Sequence, residues 1–182
     1  DLKELKKLDK EVDALFVGSG GSLQRLVQQE FRCNLVTIDV DIKRKPDYVM
    51  SVSEMDFKDN KFDVVFIYEV LEHVERPFEA SNELFRVLKP GGTLLLSTPF
   101  ILGIHDAPYD YWRFTKYGLK NLFCRFNDVV IKERSGFLLT IFTLLVRLII
   151  SDSFFHKSLG CIFSLLFIIL IPLINFVDKF LP

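Results

Sequence analysis

Four short apolar runs, DALFV (13–17), NLVTIDV (34–40), FDVVFIYEV (62–70) and TLLLSTP (93–99), are spaced so that helical segments fit between them. Near-continuous apolarity marks strands covered on both faces, the condition of a parallel sheet crossed by helices. DYVMSV (47–52) is a shorter strand candidate and NDVVIKER (127–134) a sixth. After the first run, Leu23, Leu26, Val27 and Phe31 recur at helical spacing on one face. Pro77 suits a first helical position, and Phe78, Leu84, Phe85 and Leu88 continue a buried face until KPGG (89–92) stops the helix. Residues 115–125 read as a further helix. The pattern predicts an α/β, Rossmann-like, mostly parallel sheet with flanking helices and right-handed crossovers. The gap between the second and third strands is so short that the crossover there must be stunted.

Bulk properties exclude several classes. The chain of 182 residues is the size of one domain with a proper core. Lys plus Arg (23) nearly balances Asp plus Glu (24), and no basic stripe flanks the glycine turn, so a nucleic-acid partner is not expected. Cys33, Cys124 and Cys161 are scattered, which suggests neither a disulfide framework nor a zinc knuckle and fits a reducing, cytoplasmic compartment. DLKELKKLDKEVD (1–13) reads as a short amphipathic helix and not as a signal peptide. The chain opens at Asp1 with no methionine, which leaves room for an N-terminal extension.

FVGSGGS (16–22) joins the first strand to the first helix. Glycines there let the backbone turn sharply and approach a ligand, and the helix N-terminus favours negative charge. Asp39 ends the next strand, where an acid can accept hydrogen bonds from ribose hydroxyls. The pair points to an adenosine-containing cofactor; the alternative is a turn that binds nothing. A phosphate-binding P-loop would need G-K-[ST], which is missing. The dinucleotide fingerprint would need glycine where Leu23 stands, which disfavours a nicotinamide or nucleotide-sugar enzyme.

FDVVFIYEVLEHV (62–74) followed by ELFRVLKPGGTLLLSTP (83–99) resembles the class I S-adenosylmethionine-dependent methyltransferases, in the type 11-like branch with L-E-H-V and R-V-L-K-P-G-G segments. The resemblance spans about residues 12–133. It implies S-adenosylmethionine as cofactor, with Gly18, Ser19, Gly20 and Gly21 under its methionine part and Asp39 on the ribose. It further implies Val40 against the adenine, Ser51 and Val52 at the adenine edge, and Tyr68 and Glu69 along the other side. The chain departs from the pattern at Ser51, where an acid is common, at Met55-Asp56-Phe57, where L-P-F is common, and in the G-S-G-G turn itself.

A hydroxyl acceptor gains from a general base, and histidine is the usual one near neutral pH. His73 follows the fourth strand and His105 the fifth, so both border the ligand crevice at the carboxyl ends of the sheet. HDAPYDYWRFT (105–115) resembles a segment of bacterial methyltransferases associated with polysaccharide biosynthesis. Tyr109, Tyr111 and Trp112 offer flat faces for a sugar ring or planar acceptor, and Asp110 and Arg113 either pair or grip its polar groups. The alternative for the loop is a lid anchored by its aromatics, and for His73 a packing histidine. His73, His105 and Asp106 carry no metal-ligand spacing, so no metal is expected.

Residues 1–136 mix charged and apolar residues as a soluble domain does, and the resemblance implies that they form the S-adenosylmethionine-binding methyltransferase domain; 137–182 are expected to form an apolar helical tail. FLLTIFTLLVRLII (137–150) is broken by Arg147, and LGCIFSLLFIILIPLINFV (159–177) has no charge and the length of a membrane span. Residues 137–177 are therefore expected to form a transmembrane hairpin or re-entrant anchor, to lie against the inner face of a membrane, or to make a helical cap buried on the domain or in a homodimer. The seventh strand usual in this fold is not visible. These readings give a methyltransferase for a small-molecule, glycan or lipid-linked acceptor, with a non-catalytic scaffold of the same fold as its rival.

Overall fold

The computed structural model describes residues 11–151 together with 170–172, 174, 175 and 178. Two compact units divide between Val129 and Val130. In the first, β1 (Val12–Val17), α1 (Gly21–Glu30), β2 (Cys33–Asp39), β3 (Tyr48–Val49), β4 (Phe62–Tyr68), α2 (Pro77–Val87), β5 (Leu88–Ser97) and α3 (Lys116–Leu122) follow in chain order. The strands lie in the order β3-β2-β1-β4-β5, every pair parallel. This is the Rossmann-like sheet expected from the apolar runs. The stunted crossover between β2 and β3 is a single 3-10 turn, Ile42–Arg44.

Strand side chains alternate between faces, so each strand feeds two cores. Leu15, Val17, Ile38, Val65 and Ile67 pack on one side with Leu84 and Val87. Ala14, Phe16, Val64 and Phe66 pack on the other with Val27. Register aligns Leu15 with Val36 and Val65, and Val65 with Leu94. Such two-sided burial explains why these strands read as continuous apolar runs.

Two helical faces differ from the sequence expectation. On α1, Val27 is buried but Leu23 and Leu26 are exposed. On α2, Phe78 and Phe85 are exposed, and the buried face is Pro77, Ala80, Ser81, Leu84 and Val87. Large aromatics suggested the wrong phase, because small residues at 80 and 81 let the helix approach the sheet closely. The Ser81 hydroxyl, buried there, donates to the Leu122 carbonyl at 2.7 Å and ties α2 to α3. Phe85 instead meets Phe126 edge to face, with the Arg125 guanidinium over its ring.

The segment Met55-Asp56-Phe57 has a packing explanation. Met55 and Phe57 are buried, and the carboxylate of Glu83 accepts the Met55 N–H at 2.9 Å. Arg86 pairs with Glu83 and Asp59 and also donates to the Met55 and Phe57 carbonyls. The glycines of KPGG fall inside β5, where the pairing with β4 is irregular between Phe62 and Val64.

No strand forms over 127–134, so the expected sixth strand is absent and the described sheet has five strands. In the second unit, α4 (Phe137–Ser151) takes up the first apolar run. Asp178 accepts the N–H groups of Leu138 and Leu139 at 2.8 and 3.1 Å, serving the orphan donors of the first turn. Among the described residues no helix is long and apolar enough to cross a membrane. The amphipathic helix expected over 1–13 and most of the run 159–177 lie outside the described residues.

Candidate functional site

β1 and β4 are adjacent, and the strand order reverses between them, which opens a crevice beyond their carboxyl ends. The glycine turn follows β1 there. Gly18 has φ +87° and donates its N–H to the Ile38 carbonyl at 2.9 Å. A Cβ at this position would collide with Cγ2 of Val70, which follows β4. Gly20 and Gly21 also have positive φ, but nothing lies within 4 Å of where their Cβ atoms would be. Their backbone faces open space. The buried Ser19 hydroxyl donates to the Arg44 carbonyl at 3.3 Å, and Gln24 Oε1 accepts the Gly20 N–H at 2.6 Å. Gln24 was not a candidate from the sequence, because a glutamine in a first helical turn reads as surface.

Asp39 closes β2 and is only 8% exposed. One carboxylate oxygen accepts the Asp41 N–H at 2.8 Å, and the other is 3.9 Å from Arg44 Nε. It retains acceptor capacity for hydroxyls. Val40 beside it is exposed, whereas the Val52 side chain belongs to the core and Ser51 Oγ accepts the Ser53 N–H. Bare backbone at Gly20 and Gly21 with a fixed carboxylate nearby in sequence order suits a ligand that combines an extended chain with a ribose.

Beyond β4 and β5 the chain is held by polar contacts. Glu69 sits at φ +52°, a conformation that costs a non-glycine residue roughly 1–3 kcal/mol. Its N–H donates to the Ser97 carbonyl at 2.9 Å, and its carboxylate accepts the Ser97 hydroxyl at 2.7 Å. Tyr68 packs against Phe16 and Phe66, and burial pushes its phenol upward. Glu72, in the 3-10 turn Leu71–His73, is wholly buried. Thr98 donates to its Oε2 at 3.2 Å, while Oε1 has no hydrogen-bond partner among the described residues. Desolvation raises the Glu72 carboxyl above its ordinary range, opposed by a backbone hydrogen bond, His73 and Thr98. Its backbone carbonyl accepts the N–H groups of Tyr111 and Trp112 at 2.9 and 3.1 Å, so the loop after β5 is docked on the turn after β4.

That loop brings His105 to His73. The two rings meet edge to face with centroids 4.7 Å apart. His73 Nδ1 lies 2.8 Å from the Tyr109 carbonyl. Asp110 and Arg113 form a two-point ion pair, both N···O distances being 2.7 Å, and the Asp110 side chain is buried. The hydrogen bonds from Arg113 hold the Asp110 carboxyl well below the usual range. Asp110 also accepts the His105 N–H at 3.0 Å, and Arg113 Nε donates to the Leu102 carbonyl at 3.2 Å. The Trp112 indole N–H donates to the Val74 carbonyl at 2.9 Å, and its ring stacks on Phe114. Of the open alternatives for Asp110 and Arg113, the structure has them paired with each other. Tyr109, Tyr111 and Trp112 keep exposed faces.

Residues 15–96 match the family model described as a methyltransferase domain. A ubiquinone biosynthesis O-methyltransferase of Rickettsia bellii is 32% identical over 54% of this chain and 49% of its own length. A tRNA U34 carboxymethyltransferase of Nautilia profundicola is 32% identical over 53% of this chain and 30% of its own. The chain thus spans less than half the length of these curated relatives. Among solved structures, a Haemonchus contortus phosphoethanolamine N-methyltransferase, in complex with phosphomonomethylethanolamine and S-adenosylhomocysteine, superposes with a TM-score of 0.62 at 19% identity. It covers 83% of this chain and 41% of that one. The [4+2]-cyclase SpnF superposes at 0.55 with 22% identity, over 68% of this chain and 53% of its own. The five-stranded parallel sheet with its glycine turn at the switch point defines a Rossmann-like domain. Residues 15–96 of that domain are the stretch that is similar to the methyltransferase family.

Proposed function

We propose that this chain transfers the methyl group of S-adenosylmethionine to a small-molecule, glycan or lipid-linked acceptor. The observation that carries the reading is the common rim. The open backbone of Gly20 and Gly21, the Asp39 carboxylate and the His73–His105 pair all follow the carboxyl ends of strands in one sheet. Gly18, Ser19, Gly20 and Gly21 are proposed under the methionine part, Asp39 on the ribose, Val40, Ser51 and Val52 around the adenine, and Tyr68 and Glu69 opposite.

S-Adenosylmethionine supplies an activated methyl on a sulfonium, so the protein's contribution is alignment and electrostatics. Gln24 holds the Gly20 N–H and so fixes the turn's shape. Asp39 orients hydroxyls. Tyr109, Tyr111 and Trp112 present the acceptor with flat apolar faces, and the Asp110–Arg113 pair keeps their loop in one conformation. His73 and His105, whose rings meet at 4.7 Å, are proposed to take the proton of a hydroxyl acceptor. Free thiols at Cys33 and Cys124 fit action in a reducing, cytoplasmic compartment.

Calorimetry with S-adenosylmethionine and with its demethylated product tests the reading. Saturable binding is expected, weakened at least tenfold by Asp39→Ala. No binding of either compound at millimolar concentration overturns it. Because a [4+2]-cyclase shares the fold, binding without transfer to any acceptor instead favours a non-methylating role.

A further inference from the structure

We propose that Glu72, His73 and His105 hold one divalent cation of the zinc class, and that an acceptor oxygen completes its coordination. One ligand atom from each of the three residues lies within 4.8 Å of the others. Two donors bound to one zinc at about 2.0–2.2 Å stand roughly 3–4 Å apart, so the cluster needs to contract by only about 1 Å.

Three further observations point to a cation and not to a chance meeting of polar groups. Glu72 is wholly buried, yet its Oε1 has no hydrogen-bond partner among the described residues, an expensive condition for a carboxylate oxygen unless something positive faces it. His73 Nε2 is 3.9 Å from that oxygen, too far for a hydrogen bond between them. The outer nitrogens are spoken for in the manner of metal-bound imidazoles. His73 Nδ1 faces the Tyr109 carbonyl at 2.8 Å, and His105 Nδ1 faces the Gly103 carbonyl at 3.3 Å. A carbonyl can only accept, so each Nδ1 carries the proton in the neutral ring and each Nε2 is left with a lone pair.

The donor set is two imidazoles and one carboxylate, a combination found in zinc sites that keep a position open for catalysis. Both imidazoles are partly exposed, their side chains 20% and 32% accessible, so the open position faces solvent. Asp106, with Oδ2 3.9 Å from His73 Nε2, lies at the same mouth. No spacing motif announces this site, because its third ligand arrives on the loop after β5, held by the Tyr111 and Trp112 N–H groups on the Glu72 carbonyl.

The role in turnover rests on the methyl-transfer reading: the cation would orient an oxygen of the acceptor, and the imidazoles would act on it through the metal. Existence of the site does not depend on that reading. The experiment uses untagged protein stripped with a chelator. Zinc is titrated by calorimetry and cobalt(II) by visible absorption, beside a separate S-adenosylmethionine titration. One equivalent of zinc at micromolar Kd or tighter is expected, with cobalt d–d bands of a low-coordinate nitrogen and oxygen site. Glu72→Gln, His73→Ala and His105→Ala should each weaken binding at least tenfold. In the unsubstituted protein, cobalt should broaden two imidazole proton sets, a readout that needs no variant to fold. Zinc binding without S-adenosylmethionine binding supports the cation site and sinks the methyl-transfer reading. No stoichiometric metal at micromolar concentration, a thiolate-to-cobalt charge-transfer band, or affinity unmoved by all three substitutions overturns the proposal.

Discussion

A Cβ on Gly18 would run into Cγ2 of Val70, so the turn after β1 and the turn after β4 touch with no space for a side chain. This contact sits at the point where the strand order reverses, and it sets the floor of the crevice. Gly18 also holds φ +87°. Gly18→Ala therefore meets both backbone strain and a collision, and should cost roughly 2–4 kcal/mol in urea denaturation. Gly20→Ala adds strain without a collision and should cost less, about 1–2 kcal/mol, while still weakening S-adenosylmethionine binding. Equal stability losses for the two would show that Val70 moves aside.

The Asp110–Arg113 pair predicts a split between binding steps. Arg113→Lys keeps the charge but cannot make the two-point contact with Asp110. The expected result is a raised KM for the acceptor and a lowered kcat, with S-adenosylmethionine affinity within about twofold of the parent. A matched loss of cofactor affinity would place the loop on the other side of the crevice.

Trp112 separates packing from hydrogen bonding. Trp112→Phe retains an aromatic face against Phe114 but loses the donor to the Val74 carbonyl. A loss of about 1 kcal/mol in thermal unfolding is expected. Trp112→Ala and His105→Ala should both reduce turnover more than cofactor affinity. If turnover survives both, the segment is architecture and the acceptor binds elsewhere.

Glu83 gives a pH-dependent prediction away from the crevice. Hydrogen bonding from Arg86 lowers its carboxyl below the ordinary range. A depressed folded-state value means the stabilisation is complete above the unfolded carboxylate range and is lost as pH falls through the folded value. Glu83→Gln should therefore lower stability by about 1–2 kcal/mol at pH 7, and the difference from the parent should shrink below about pH 4. Urea midpoints across that range check it.

Core packing supplies the last test. Leu84 is fully buried between α2 and the sheet, so Leu84→Ala should cost about 2–5 kcal/mol. Phe78→Ala on the exposed side should cost under about 0.5 kcal/mol.

Much of this was legible in the chain. The runs at β1, β2, β4 and β5, the glycine turn, Asp39 and the short link before β3 follow from local apolarity, glycine chemistry and spacing, all of which neighbouring residues determine. Helix phase was less legible: Phe78 and Phe85 promised a buried face, but Ala80 and Ser81 took it because a close helix–sheet approach rewards small residues. NDVVIKER has strand composition, yet a strand also needs a free sheet edge in register, which composition does not specify.

By itself the sequence determined a parallel α/β sheet with a glycine turn and an acid at successive strand ends, because burial on two faces and a tight turn leave marks residue by residue. Tertiary structure alone decided that Glu72 would be buried with an oxygen that has no hydrogen-bond partner among the described residues, and that His105 would meet His73. Those outcomes depend on which carbonyls and N–H groups two distant loops exchange when they dock, and no pattern within either loop records its partner.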